Sequence, residues 1–494
     1  LCSIYLYVFN IIKKSFPIKL TVNINLYLNL TDFSSSFSFK MTRITNGSEL
    51  HHLLLQELDI IHLSTYLYNV TNKDRFLSGE DAKLKVEEVG PFTYKEMRLN
   101  EDMEIDPNDG VMRYTPHVWT EFMPEASVAH PENVHIVMPN IALLSLTHLV
   151  SDYPSWTRLG YHMLLQRSGS HSFVEMDAQG YMWGYDEPIV KFGNTFMPGW
   201  ISFDTMGFLD RMYDKKLRYR VEVGNTNADK FEIKSYDGHH GLTMSKCNSF
   251  ENAYEGIAFP PELTPDRPLR VYRTVLCRIL NLDYVGKKTM YYGGEAFTYK
   301  LNNKTFSKNQ DNDCLCQHGV CNDGYSDISP CFYGLPFTLS NAHFYGADPE
   351  LYSRVEGIKP DPAKDDSIFI LDPITGAVVH TKFALQLNIV LRDVDFNRET
   401  KSFSNMVVPI AYFIITPGLK EEQKAHMKLM YNTGPKVLLA IQIVTSLIAL
   451  LLLSCSMRLL YWNWFCTDGK GIAFQVPTDI KNASGVPLVG YDDT

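Results

Sequence analysis

The chain has 494 residues, of which 45% are hydrophobic and 21% charged, and its formal net charge is −10. That length leaves room for one large domain or two ordinary ones. An acidic balance with scattered lysines and arginines disfavours a nucleic-acid-binding protein, so we expect no nucleic-acid partner.

The amino-terminal segment 1–40 carries no readable domain pattern. Its apolar run before Lys13 is too short to span a bilayer and lacks a clear signal-peptide cleavage site. The Asn-, Ser- and Phe-rich stretch that follows has neither a helical nor a strand period. We therefore predict an atypical amino terminus over 1–40 and a globular region over 41–436.

The first predicted elements of the globular region are short. The apolar residues within 53–62 suit a short helix. Residues 83–89 alternate between apolar and charged side chains, which predicts a strand that ends at a Gly90-Pro91 turn. The run 140–150 is apolar nearly all round and predicts a helix that is buried or docked on a surface.

A second helix is predicted over 156–167. Ser155 is its candidate N-cap and Gly169 its candidate stop. Apolar side chains recur at helical spacing at Trp156, Leu159, Met163 and Leu164. Another face is lined by Arg158, His162 and Gln166, with Arg167 adjacent. That face is either an ordinary solvated side or a cationic, partly pH-sensitive surface that meets a ligand.

Strand patterns dominate the second half of the globular region. Apolar residues alternate with charged ones over 217–223, and a polar turn leads to a return strand that begins at Phe231 and Ile233. Residues 382–391 alternate in the same way. Such strands predict antiparallel sheet with one face packed inward. One mixed α+β domain is therefore favoured over two.

The cysteines and glycosylation sequons indicate an oxidising compartment. Six of the nine cysteines fall in one region, at Cys247, Cys277, Cys314, Cys316, Cys321 and Cys331. An even cluster of this kind predicts disulfides; a zinc site is the alternative, but its C-x-C spacing is unusual for zinc. Sequons that would lie in the same compartment as these cysteines occur at Asn29, Asn46, Asn69 and Asn303. The sequon at Asn482 would be cytosolic and unused.

The segment Val437–Met457 is long and apolar enough to cross a membrane. It contains no charged residue and is followed by a cluster of aromatic residues suited to the bilayer interface. We predict a transmembrane helix over 437–457 and a cytosolic tail over 458–494. Cys455 and Cys466 flank the inner membrane face and are either palmitoylation sites or idle thiols.

Motifs for enzyme chemistry are missing from the sequence. There is no G-x-S-x-G elbow, P-loop, H-E-x-x-H or dinucleotide glycine pattern. The His239-His240 pair is a possible metal site but more often marks an exposed turn. We therefore expect no catalytic residues, no metal, no cofactor and no enzymatic activity.

Several short motifs, in order along the chain, resemble those of the class B scavenger receptor family. They are Glu88-Val89-Gly90-Pro91-Phe92-Thr93-Tyr94, Trp183-Gly184-Tyr185-Asp186-Glu187-Pro188, Phe259-Pro260-Pro261, Val355-Glu356-Gly357-Ile358-Lys359-Pro360, Asp372-Pro373-Ile374-Thr375-Gly376 and Val408-Pro409-Ile410. The matches extend from about Thr65 through the terminal span. Two departures are the unrecognisable amino-terminal transmembrane helix of the family and Asn341–Phe344, which replaces a commoner LPHF.

The resemblance implies an antiparallel β-barrel-like ectodomain with a helical-bundle head and an internal lipid tunnel. It further implies that the family's disulfide pattern would join Cys247 with Cys314, Cys277 with Cys331, and Cys316 with Cys321. Ligands would bind at the head helices, where the candidate residues are Trp156, Arg158, His162, Arg167 and His171. Among these, Arg167 is the best single candidate for facing the ligand.

Two functions follow from the resemblance. The first is a receptor that binds fatty acids, cholesterol or its esters, phospholipids, lipoprotein particles or anionic ligands, and transfers lipid through the tunnel into the membrane. The second is a lysosomal receptor that holds a hydrolase cargo and releases it on acidification, with His148, His162 and His171 as candidate pH sensors. The membrane would be the plasma membrane or the lysosomal or endosomal membrane.

Overall fold

The computed structural model describes residues 42–196, 203–213, 218–242, 249–276, 278–308, 323–418 and 421–467. The chain divides into two compact units, Leu1–Thr433 and Gly434–Thr494. Each unit is described by itself.

Strands are the main regular structure of the first unit. Its strands are β1 (Leu58–Val70), β2 (Leu84–Asp106), β3 (Val111–Phe122), β4 (His135–Pro139), β5 (Phe173–Asp177), β6 (Val221–Gly224), β7 (Ile233–Tyr236), β8 (Ala253–Tyr254), β9 (Leu269–Arg273), β10 (Arg278–Thr289), β11 (Glu295–Leu301), β12 (Ser326–Asp327), β13 (Phe337–Asn341), β14 (Val355–Glu356), β15 (Ile368–Leu371), β16 (Val378–Val390) and β17 (Val407–Pro417).

Helices occupy the connections between these strands. They are α1 (Glu49–Leu54), α2 (Lys73–Ser78), α3 (Ile141–Ser151), α4 (Ser155–Ser168), α5 (Ala178–Trp183), α6 (Pro188–Phe196), α7 (Phe208–Met212), α8 (Pro362–Asp365) and α9 (Glu421–Lys428), which a π-helical turn (Leu429–Thr433) follows. Short 3₁₀ turns lie at Pro124–Ala126, Pro131–Asn133, Thr274–Leu276, Ser329–Cys331, Ala342–Phe344, Pro349–Tyr352 and Lys401–Phe403.

One sheet of 15 strands forms a nearly closed barrel. Its order is β7-β6-β3-β2-β1-β17-β16-β15-β11-β10-β9-β8, and β12, β13 and β14 pair beside this path. A single bridge between Glu232 and Tyr254 joins the two ends of the order. Neighbours are antiparallel except β8 with β9 and β14 with β2. The predicted α+β class and barrel-like sheet are therefore present.

The sequence predicted one buried face for strand β16, but both of its faces are buried. The alternation was correct: Leu385 and Leu387 pack on one side, and Gln386 on the other is 0% exposed. The polar face can be buried because its amides are satisfied. The Tyr68 hydroxyl donates to the Gln386 Oε1 at 2.6 Å, and Gln386 Nε2 donates to Asn388 at 2.7 Å.

The predicted strand at 83–89 continues far beyond the Gly90-Pro91 pair, which does not form a turn. The pairing between β1 and β2 shifts register between Thr65 and Leu67, opposite these two residues. The pair therefore lies at a β-bulge, where an irregular strand accommodates glycine and proline. The predicted helix over 53–62 is also wrong beyond Leu54, since the chain enters strand β1 at Leu58. The predicted hairpin of β6 and β7 is confirmed.

The second unit contains the helix Gly434–Thr467, which includes the predicted span 437–457. By length and composition, the helical stretch Lys424–Trp462 could cross a membrane, with a mean hydropathy of 2.6 over its most apolar window. A run of this length with so few charges is suited to a bilayer core about 30 Å thick.

Candidate functional site

A cavity of about 930 Å³ lies inside the first unit. Its wall combines side chains from strands β1, β9, β10, β15, β16 and β17 and from helix α9. Apolar side chains prevail, among them Val271, Phe369, Ile415 and Met430. The size matches that of small-molecule sites in proteins, and transfer of hydrocarbon from water into such a space is favourable.

The titratable side chains of this cavity wall are mostly of basic types, although the whole chain is acidic. They are His62, Arg273, Lys288, His380, Lys424 and His426, against Asp59 as the carboxylate. Asp59 lies 3.2 Å from His62. Burial lowers the pKa of His380, and the neighbouring charges of Lys288 and Lys382 lower it further. The lowered pKa of His380 favours its neutral form, and the charge of Arg273 is already paired with Glu96.

Two sequence motifs meet at the cavity wall. The Phe259 amide donates to the Gly376 carbonyl at 3.0 Å, and the Leu263 amide donates to the Pro373 carbonyl at 2.7 Å. Ala258 and Ala377, which flank these motifs, both line the cavity and form an isolated bridge. The FPP and DPITG motifs therefore build part of the wall through backbone contacts.

Strand β2 carries buried charges that sequence reasoning missed. Glu96, Arg98 and Asn100 are 1%, 4% and 5% exposed, on alternate positions of one face. Arg98 donates to Glu255 at 2.8 Å, and Glu96 accepts from Arg273. The intervening Met97 and Leu99 are apolar but only half-buried, so the alternation in the sequence assigns them, and not Glu96 and Arg98, to the interior.

The carboxylate of Glu255 is the centre of one of these pairs. Besides Arg98, the hydroxyls of Tyr114 and Tyr236 donate to it at 2.6 and 2.8 Å. Burial alone would raise the pKa of Glu255, but the Arg98 charge and these hydrogen bonds hold it below its usual value. A buried charge is tolerated here because each of its partners is in place.

The helix predicted over 140–150 is confirmed, and it is buried. Asn140 caps α3 by accepting from the Leu143 amide at 3.1 Å, and Ile141 and Leu144 are fully buried. Burial also determines the state of His148 on this helix: it lowers the pKa to about 4, with a further contribution from Arg392. This lowered pKa disfavours protonation of His148 between pH 7.4 and 5, so the candidate pH sensors that remain are His162 and His171.

Helix α4 turns its apolar stripe to solvent. Trp156, Leu159 and Met163 are 76%, 59% and 54% exposed, while the buried residues are Tyr161 and Leu165. The apolar spacing predicted the helix correctly but not its buried face, which is offset around the axis. Ser155 is the first helical residue and not the N-cap, whereas the stop at Gly169 is confirmed.

The remaining candidate ligand residues lie in different environments. The guanidinium of Arg158 lies 5.6 Å from the centre of the Phe396 ring, and His162 contacts Gln166 at 3.1 Å. Arg167 is exposed. His171 is also exposed and lies 3.6 Å from Glu399.

A buried histidine holds together two segments far apart in sequence. His343 Nδ1 lies 2.7 Å from Asp365, and Nε2 lies 3.1 Å from Glu88 of the EVGPFTY motif. Burial alone would lower the pKa of His343, but the two carboxylates outweigh it and raise the pKa to about 9. Both ring nitrogens therefore donate, as only the imidazolium can. The Tyr412 hydroxyl also donates to Glu88, at 2.7 Å.

Most predicted modification sites stay predictions. Cys331 is disulfide-bonded, but the other five clustered cysteines lie outside the described residues, so the pairing is untested. Cys455 is an exposed free thiol. The sequons Asn46 and Asn303 are exposed. Asn69 is half-buried, accepts from the Val137 amide and donates to Glu87, both at 2.7 Å.

The His239-His240 pair lies in an exposed turn, as expected. Across the described ranges, no group of three or more His, Cys, Asp or Glu side chains is placed to hold a metal ion.

One family model and three relatives among known proteins match most of this chain. A family model described as "CD36 family" matches residues 18–460. Scavenger receptor class B member 1 of Bos taurus is 27% identical over 416 residues, which cover 81% of this chain and 78% of the relative. Lysosome membrane protein 2 of Homo sapiens is 25% identical over 432 residues, with 83% and 84% covered. Lysosome membrane protein 2 of Mus musculus is 28% identical over 380 residues, with 76% and 78% covered.

Proposed function

Because this chain belongs to the CD36 family, we propose that it is a class B scavenger receptor that takes up lipid and transfers it to the membrane. The ligand binds at the head helices α3 and α4, passes through the interior of the barrel and reaches the cavity. Burial of apolar surface away from water drives each step, so downhill transfer needs neither a covalent intermediate nor ATP.

The cavity carries this proposal. It offers about 930 Å³ of mostly apolar space in the first unit, and a relative of this chain is named as a scavenger receptor. The ligands we propose are fatty acids, cholesterol or its esters, and phospholipids, delivered free or in lipoprotein particles. Localisation at the plasma membrane or a lysosomal membrane, with residues 41–436 outside the cytosol, belongs to the same proposal.

Ala258→Trp tests transfer through the cavity. Ala258 lines the cavity and is partly exposed to it, so an indole there fills space that a lipid would need. We expect uptake of a fluorescent fatty acid or cholesteryl ester to fall to the level of cells without the receptor, while binding of lipoprotein particles persists. Uptake and particle binding are measured in the same cells, after surface biotinylation shows equal amounts of protein.

Two further variants make this test specific. Ala126→Trp adds the same indole at an exposed position that does not line the cavity, and it should leave uptake unchanged. Arg167→Glu reverses a charge on the exposed head helix and should reduce particle binding first, with uptake falling in proportion. Equal loss of binding and uptake in Ala258→Trp would contradict transfer through the cavity.

A second candidate function is cargo sorting with release on acidification. It is favoured by similarity to a protein named lysosome membrane protein 2 and by the exposed His171, whose attraction to Glu399 depends on protonation. The cargo would be a lysosomal hydrolase held by α4 and the residues just after it, with His162 on the helix and His171 beyond its end as candidate pH sensors.

Sorting predicts that cargo binding weakens between pH 7.4 and 5. We expect His171→Gln to flatten that dependence, because the ring could no longer gain a proton near its contact with Glu399. His130→Gln, which alters an exposed histidine beside Glu132 at 3.8 Å, is the matched control. The test measures how much hydrolase the wild type binds from lysosomal extract at pH 7.4 and at pH 5. Equal binding at the two pH values would rule out release by acid.

A further inference from the structure

The hairpin of β10 and β11 exposes an unusual tip. Val285 is 52% exposed and Tyr291, in the turn 290–294, is 71% exposed. Lys287 and Lys288 are exposed beside them. Single exposed apolar residues are ordinary on protein surfaces, but here the exposed Tyr291 shares a tip with two lysines. Val285 lies farther along β10, at a bulge in its pairing with β11, and Lys287 lies 3.5 Å from Glu295.

The inner side of the same turn packs against the π-helical turn that contains Tyr431. Tyr292 is 1% exposed and stacks on Tyr431, with ring centroids 5.4 Å apart and planes 27° from parallel. The stack leaves no room at Gly294, where a Cβ would lie 2.7 Å from Tyr292 and 2.9 Å from Tyr431. The Tyr431 hydroxyl donates to Asp372. The outward direction of Tyr291 is therefore held by packing.

Tyr431, against which the turn packs, is close in sequence to the predicted membrane span. Tyr431 stands six residues before Val437, where the uncharged apolar run begins. Six residues can extend at most about 20 Å, so the chain itself holds Tyr431 within that distance of the start of the apolar run.

The chemistry of the tip suits the head-group layer of a bilayer. Tyrosine is enriched at membrane interfaces, because its ring is apolar and its hydroxyl is polar. Lysine stems can lie along apolar surface while the ammonium groups reach phosphates, and basic residues near the surface are attracted to anionic lipids.

We propose that the hairpin tip formed by Lys287, Lys288 and Tyr291, with Val285 farther along β10, is a membrane contact that rests in the head-group layer of the bilayer that the chain's own apolar helix enters. This contact goes beyond lipid transfer and does not require it. Its consequence for the cavity is nonetheless direct: Lys288, Met290, Tyr291 and Tyr292 belong to the cavity wall, so the contact brings one side of that wall against lipid.

Tryptophan quenching by brominated lipid tests the contact. The full chain with Tyr291→Trp is placed at one copy per nanodisc, in phosphatidylcholine with or without bromine near the head-group end of the acyl chains. The emission of the wild type, with its six tryptophans, is subtracted. We expect the added emission to be quenched by brominated lipid. Tyr153→Trp, at a 49% exposed tyrosine of the head, should add emission that bromine does not quench.

The quenching results distinguish a lipid contact from a surface that binds another protein. Equal emission of Tyr291→Trp in both lipids overturns the proposal and leaves the tip as a protein-binding surface. Lys287→Glu with Lys288→Glu, added to Tyr291→Trp, should reduce quenching in discs that contain anionic lipid, and unchanged quenching there overturns the role of the lysines. Lipid uptake by the wild type is measured separately, so absence of wild-type uptake with intact quenching of Tyr291→Trp contradicts the proposed function and not the contact.

Discussion

Gly357→Ala is expected to prevent folding of the first unit. Gly357 has a φ of +113°, and a Cβ built on it would lie 2.0 Å from the Val86 carbonyl oxygen. Strand β14, which ends just before it, pairs in parallel with β2 at Leu84 and Lys85, so neither backbone can move without breaking the pairing. We expect a loss above about 4 kcal/mol in the free energy of unfolding. Thermal unfolding of purified protein, or loss of surface protein in cells, measures it.

Gly346→Ala separates the clash from the cost of the backbone angle. Gly346 has a φ of +80°, but nothing lies within 4 Å of its added Cβ. Its expected loss is only about 1–2 kcal/mol, the ordinary penalty of a left-handed residue with a side chain. Similar losses in the two variants would show that the approach of Gly357 to Val86 is not what the VEGIKP motif preserves.

His343→Ala is expected to have a comparable effect for an electrostatic reason. Removal of the imidazolium leaves Asp365, whose side chain is 1% exposed, without its counter-charge. Loss of one partner of a buried ion pair typically costs about 3–5 kcal/mol. Thermal unfolding should show this loss, whereas His239→Ala, at an exposed turn, should change stability by less than about 0.5 kcal/mol. A small loss in His343→Ala would mean that Asp365 is protonated or hydrated in the folded protein.

The pH dependence of this ion pair has a defined sign. The pKa of His343 is about 9 in the folded protein, above the usual value near 6.5. Its contribution to stability is therefore fully present below pH 6.5 and is lost as pH rises through about 9. The difference in Tm between wild type and His343→Ala should narrow from neutral pH to about pH 10. A difference that widens over this range would contradict an imidazolium at this site.

The surroundings of Gly357 and His343 indicate a structural role for several of the motifs that carry the family resemblance. Gly357 approaches strand β2, Glu88 binds His343, and Gly376 accepts a hydrogen bond from the Phe259 amide. Each contact joins segments far apart in the sequence. The departure at Asn341–Phe344 keeps the histidine, so the ion pair survives the altered residues before it.

Two predictions from periodicity failed in instructive ways. Helix α4 was placed correctly, but its exposed stripe of Trp156, Leu159 and Met163 was not recognised, since helical spacing alone cannot tell a core face from a binding face. The buried Glu96 and Arg98 were not predicted either. A charged residue becomes interior only when its partner, here Arg273 or Glu255, arrives from a distant strand.

Local composition, periodicity and short motifs were enough to predict the apolar span at 437–457, the helices at 140–167, the antiparallel strands and the family. The buried faces, the neutral His148, the charged His343 and the position of the cavity became visible only in the folded chain. Burial, pKa and enclosed volume arise from segments brought together by folding. Asp365, for example, reaches His343 only through packing of the barrel.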